Sequence, residues 1–121
     1  MKVRNIEVNF SFLDADDVEK FEKEAKRVKE DSEVKSKEKM SYSEAIREEC
    51  RIINSFFDNV FGEGTAQKIF GEKNNLEEHI KAFEDIVKEK IEHQKSLENT
   101  FNRYQPNRQT RRFNQYSGNR K

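Results

Sequence analysis

Only five of the 121 residues are glycine or proline, and they are unevenly placed: Gly62, Gly64 and Gly71 fall within ten positions, and Pro106 and Gly118 lie far beyond them. These are the residues that most strongly interrupt regular structure, so the stretch before Gly62 and the stretch from Glu72 to Gln105 are free of helix breakers. The pattern predicts a mainly α chain, a small bundle of about three helices. The hydrophobic periodicity then decides which residues use that freedom.

One segment departs from the helical period. Ile6, Val8, Phe10 and Phe12 alternate with Glu7, Asn9 and Ser11, which places four apolar side chains on one face of an extended strand. The sequence shows no evident second strand. A lone strand leaves backbone donors and acceptors unpaired, so this one is expected to pair with a copy in another subunit, an unrecognised short strand or a partner's edge.

Beyond it, Asp14 stands where a helix N-cap belongs, with Asp16 and Asp17 near the positive helix end. Val18, Phe21, Ala25 and Val28 follow at steps of three and four, predicting a helix over residues 15–31 with a narrow apolar stripe. Residues 29–39 hold a single apolar residue, Val34, and read as a frayed end plus linker. Ser41-Tyr42-Ser43-Glu44 is a capping box, opening a second helix with a broad apolar face that Gly62 ends. A short helical turn from Thr65 to Gly71 follows. Asn75 and Glu78 then cap a long helix to about residue 103, in which Leu76, Ile80, Phe83, Val87, Lys90, Gln94, Leu97, Phe101 and Tyr104 recur at steps of four and three. Its second half is too polar for burial within one chain, and such a seam seeks another helix. Phe56, Phe57, Val60, Phe83 and Val87 are the expected core. Residues 1–104 form the helical domain, and residues 105–121 a disordered basic tail.

Composition sets the limits of function. The formal net charge is zero, yet residues 1–100 carry −6 and residues 101–121 carry +6, an acidic body with a basic arm. Leu, Ile, Val and Phe make up 28 residues, enough for a modest core only. No apolar run exceeds two residues, so neither a membrane span nor a secretory leader is expected, and the chain is assigned to the cytoplasm. The single cysteine, Cys50, forbids an internal disulfide and fits a reducing compartment.

No constellation of catalytic residues emerges. His79 and His93 are about 21 Å apart on one helix and cannot share a metal ion. Cys50 lies on an apolar face as a small hydrophobe. Asp14, Asp16 and Asp17 lack the oxygen spacing and glycine of an EF-hand loop. The expectation is a protein that is not an enzyme, with no cofactor and no metal. The tail interleaves arginines with aromatics, which would suit phosphate and base contacts, but six basic charges on a neutral protein make a weak footprint for nucleic acid. A protein-binding arm is preferred, with Phe101, Tyr104, Arg108, Arg111, Arg112 and Phe113 as its contacts.

Phe12-Leu13-Asp14-Ala15-Asp16-Asp17, Ser43-Glu44-Ala45-Ile46-Arg47, the run Phe57-Asp58-Asn59-Val60-Phe61-Gly62-Glu63-Gly64-Thr65 and the ending Pro106-Asn107-Arg108-Gln109-Thr110-Arg111-Arg112 together resemble the tail-assembly chaperones encoded by phages and prophages of Gram-positive bacteria. The resemblance implies a helical protein of the host cytoplasm, absent from the finished virion. Its implied partners are the tape-measure protein and the tail-tube protein, and the surplus seam and unpaired strand add a homo-oligomer. Two other classes share the small size and lack of chemistry: a phage-encoded inhibitor or trigger of a host defence protein, and a small nucleic-acid-binding protein.

Overall fold

A computed structural model describes residues 1–33 and 37–104. The chain divides into two compact units, Met1–Lys88 and Glu89–Lys121. The expected basic tail, with Arg108, Arg111, Arg112 and Phe113, lies outside the described residues, as does Val34 in the linker.

The N-terminus is a hairpin rather than a single strand. β1 (Lys2–Val3) pairs antiparallel with β2 (Ile6–Glu7), Val3 opposite Ile6 and Lys2 opposite Glu7. Arg4 and Asn5 connect them at φ 51° and φ 70°, the doubly left-handed geometry whose twist matches that of the flanking strands. The strand expected over residues 6–12 therefore ends at Glu7. Its alternation nevertheless persists, with Val8, Phe10 and Phe12 buried and Asn9 and Ser11 exposed. An extended segment can keep its period without a ladder when side chains take up its donors. Here the Ser11 amide donates to Asp17 Oδ2 at 3.0 Å, and the Leu13 amide to Ser11 Oγ at 3.0 Å. Because β2 pairs with β1 of its own chain, the unpaired strand falls away as a ground for self-association.

Among the described residues four helices follow. α1 (Ala15–Asp31) starts at Asp14, whose Oδ1 accepts from the amides of Asp16 and Asp17 at 3.0 and 3.1 Å. α2 (Tyr42–Phe61) opens on the complete capping box: the Ser41 hydroxyl accepts from the Glu44 amide, and the Glu44 carboxylate from the Ser41 amide. α3 (Thr65–Phe70) has glycine at its N-cap, at φ 90°. Its missing side-chain cap is supplied from α2, where Asp58 Oδ1 accepts from the Ala66 amide at 2.9 Å. α4 (Leu76–Tyr104) begins beneath Asn75, whose Oδ1 accepts from the Glu78 amide at 2.9 Å.

Phenylalanine fills the core of the first unit. Phe21, Phe56 and Phe57 are almost wholly buried, and their rings meet mainly edge to face, the arrangement an aromatic quadrupole favours. Phe56 lies 5.4 Å from Phe21 and 4.9 Å from Phe83, and Phe57 lies 5.7 Å from Phe70. Phe10 and Phe12 join this network from the segment after the hairpin. The fold is thus the small helical bundle expected, enlarged by a second short strand. Among the described residues no helix is long and apolar enough to cross a membrane.

The face of α4 is a correction. The stripe through Ile80, Phe83 and Val87 does not point to the centre of the core; His79, Ala82 and Ile86 do. Phe83 and Val87 are half-buried, and Ile80 is exposed. The helix is turned so that a polar residue, His79, takes a fully buried place. The cause is a set of partners invisible to hydrophobicity. The imidazole stacks on Phe70 with centroids 3.8 Å apart, its Nδ1 is 2.7 Å from the Asn75 carbonyl, and its Nε2 is 3.0 Å from Asn54 Oδ1. A buried polar side chain with a polar partner within reach of each ring nitrogen costs far less than an unpartnered one.

Candidate partner-binding groove

Turning α4 leaves its apolar stripe half covered. In the first unit a groove of about 470 Å³ opens between α1, α2 and α4. Ala25 and Val28 form one wall, Ile53 the base, and Ile80, Phe83 and Val87 the other wall. The sequence makes this gap locally. Ala25, the smaller of the two apolar residues in the α1 wall, leaves space beside the α4 stripe.

Polar groups gather along the rim, where Lys29, Ser32, Glu49 and Glu84 complete the lining. The Ser32 hydroxyl donates to Glu49 Oε2, and the Lys37 ammonium lies 3.1 Å from Glu49 Oε1. Glu49 is thereby satisfied within the fold. A mainly apolar trough with a short charged edge is suited to an amphipathic segment, whose apolar side chains enter while its polar face stays in water. A second cleft of about 60 Å³, beside Glu24, Arg27 and Asp31, is far smaller.

The reactive side chains are otherwise engaged. Cys50 has no exposed surface, and burial, followed by the charge of Glu49, pushes its thiol above the ordinary value. It is held as the thiol rather than the nucleophilic thiolate. Among the described residues no three His, Cys, Asp or Glu side chains converge to hold a metal ion. Asp14 is engaged as a cap and Asp17 as an acceptor for Ser11.

Two of the expected contact residues, Phe101 and Tyr104, lie in the second unit on the last turns of α4, and both are exposed. Leu97 and Ile91 of the same segment are exposed as well. The groove residues were legible individually, as members of three helical stripes, but not as a site. The signal that marks them is a mismatch of widths: α4 has more apolar positions than the narrow stripe of α1 can cover.

The geometry of the first unit defines a small helical bundle with an open apolar groove. Residues 4–115 match a family of unknown function, DUF6673, and the chain belongs to that family. No curated protein and no solved structure matches it.

Proposed function

We propose that this chain is a phage tail-assembly chaperone: a protein of the bacterial host cytoplasm that is not an enzyme, binds helical segments of the tape-measure protein while tail-tube subunits assemble, and is left out of the virion. The groove at Ile80, Phe83 and Val87 carries this reading. It offers a mainly apolar trough without a group placed for chemistry, and a tape-measure protein is a long client with repeated apolar patterning. The resemblance in the capping segments and in the Phe57–Thr65 run supports the choice of client.

The test is co-expression with fragments of the tape-measure protein from the same genome, followed by affinity capture. Ile80→Glu places a charge at an exposed groove position, so it should weaken capture at least tenfold. Exposed substitutions seldom move stability by more than about 0.5 kcal/mol, so the melting temperature should stay within about 4 °C. Unchanged capture by Ile80→Glu would sink the groove as the client site. Failure of every tape-measure and tube fragment to bind the wild type would sink the chaperone reading itself.

A further inference from the structure

The stripe that lines the groove continues in the same heptad register to the end of α4. Ile80, Phe83, Val87, Lys90, Gln94, Leu97, Phe101 and Tyr104 occupy successive core positions of a coiled-coil repeat. This series is its own complement when reversed. Two copies running antiparallel, related by a two-fold axis at residue 92, set Ile80 against Tyr104, Phe83 against Phe101, Val87 against Leu97 and Lys90 against Gln94. Each layer then joins one a position to one d position. Three layers on each side of the axis are apolar on both helices, and the polar layers fall together at the centre.

We propose that α4 pairs with α4 of a second copy in this antiparallel register, so that Leu97, Phe101 and Tyr104 of each chain cover the groove stripe of the other. The occupant is set by several observations. Ile91, Leu97, Phe101 and Tyr104 are exposed large apolar residues on one helix, more than scattered surface hydrophobics would supply. Residues 80–104 carry five basic and five acidic side chains, so this part of the acidic body does not repel its copy. Ile91 of each chain meets its counterpart beside the axis. Glu84 and Glu98 approach each other along one flank, with Lys88 and Lys95 next to them to offset the repulsion. At the central layer Lys90 already donates to Gln94 of its own helix at 3.2 Å, and the two-fold offers the same pair across the interface. A polar pair at a core position fixes register and orientation.

The size is adequate for a modest dimer. The seam is about 36 Å long, and a strip one helix diameter wide on both helices covers roughly 800 Å². That lies below the roughly 1,200 Å² at which stable complexes begin, in the range of weak, reversible pairs. The pairing is therefore expected to be reversible and concentration-dependent. It would also occupy the client groove, making client binding and self-pairing competitive, although the pairing stands without the chaperone reading.

Cysteine cross-linking of the full chain tests the register. Ile80→Cys and Tyr104→Cys are both exposed positions, while native Cys50 is buried. Mixed under mild oxidation, the two variants should give a covalent dimer, and neither should cross-link with itself, since like positions lie about 36 Å apart in the antiparallel pair. Leu97→Glu, which leaves the groove walls untouched, should raise the dissociation constant at least tenfold by sedimentation equilibrium and, if a tape-measure fragment binds, preserve its capture. Self-cross-linking of either single variant would show a parallel pair and overturn the register. A wild type that stays monomeric to several hundred micromolar would overturn the proposal and leave the seam for a helix of another protein.

Discussion

Phe57 and Ile91 show how little residue type alone says about energetic weight. Both are large and apolar and both lie on helices, but Phe57 has no exposed surface and Ile91 is almost half exposed. Phe57 touches Phe56, Phe61 and Phe70 through its ring. Removing the ring leaves a void that these neighbours can only partly fill, so Phe57→Ala should cost about 3–5 kcal/mol, while Ile91→Ala in the monomer should cost less than about 0.5 kcal/mol. Urea unfolding midpoints of the two variants measure the contrast; equal midpoints would contradict the burial described. His79 carries the opposite lesson. Its Nδ1 lies against the Asn75 carbonyl and its Nε2 against the Asn54 side-chain amide, an arrangement that depends on residues four and twenty-five positions away. A hydrophobicity pattern contains none of that, and the stripe was accordingly placed one step away on α4.

Caps decide the helices at the next scale. Asp14, Ser41 and Asn75 each precede a helix and each accepts from backbone amides of the first turn, so three of the four starts were legible from a residue type and a spacing. α3 was foreseen from Thr65 to Gly71, but its cap was not, because Asp58 reaches it across eight residues. The capping box also has a pH signature. The Ser41 amide, and then the Ser41 hydroxyl, hold the Glu44 carboxyl below its ordinary value in the folded protein. A carboxylate with a depressed folded value stabilises the fold fully at neutral pH, above its unfolded value, and loses that contribution as pH falls through the folded one. Glu44→Gln should therefore be less stable than the wild type at pH 7 and converge with it in acid, once Glu44 is protonated in the folded protein. Thermal melts across that range give the check, and a difference that stays constant with pH would remove Glu44's charge from the account. Glu48, lowered by its hydrogen bond from Arg51, adds to the same acid-side loss.

For the whole molecule, the sparse glycine and proline pattern and the helical stripes were enough to give the class of fold and the bounds of all four helices to within a residue or two. Such features are local, and local rules find them. The partner of the N-terminal strand was missed because Lys2–Val3 is two residues long and polar at one of them, too short to carry a period. The groove was missed for a related reason: a gap between three helices belongs to none of them, and only their relative rotation creates it.

The ring network also sets how the first unit comes apart. From Phe12 and Phe10 the contacts pass to Phe21 and Phe61, from these to Phe56, on to Phe57 and Phe83, and through Phe70 to His79. The segment after the hairpin is therefore tied to α1, α2, α3 and α4 by contiguous aromatic contacts. A two-stranded hairpin on its own frays within microseconds, and its amide hydrogens would trade with solvent almost freely. In this protein, exposing Phe10 or Phe12 breaks ring contacts that the helices share, so the Val8 amide, bonded to the Met1 carbonyl at 2.8 Å, should exchange for deuterium only as slowly as the amides in the middle of α2. Exchange of Val8 a hundredfold faster than those of α2 would mean that the N-terminal segment opens on its own and that the aromatic network ends at α1.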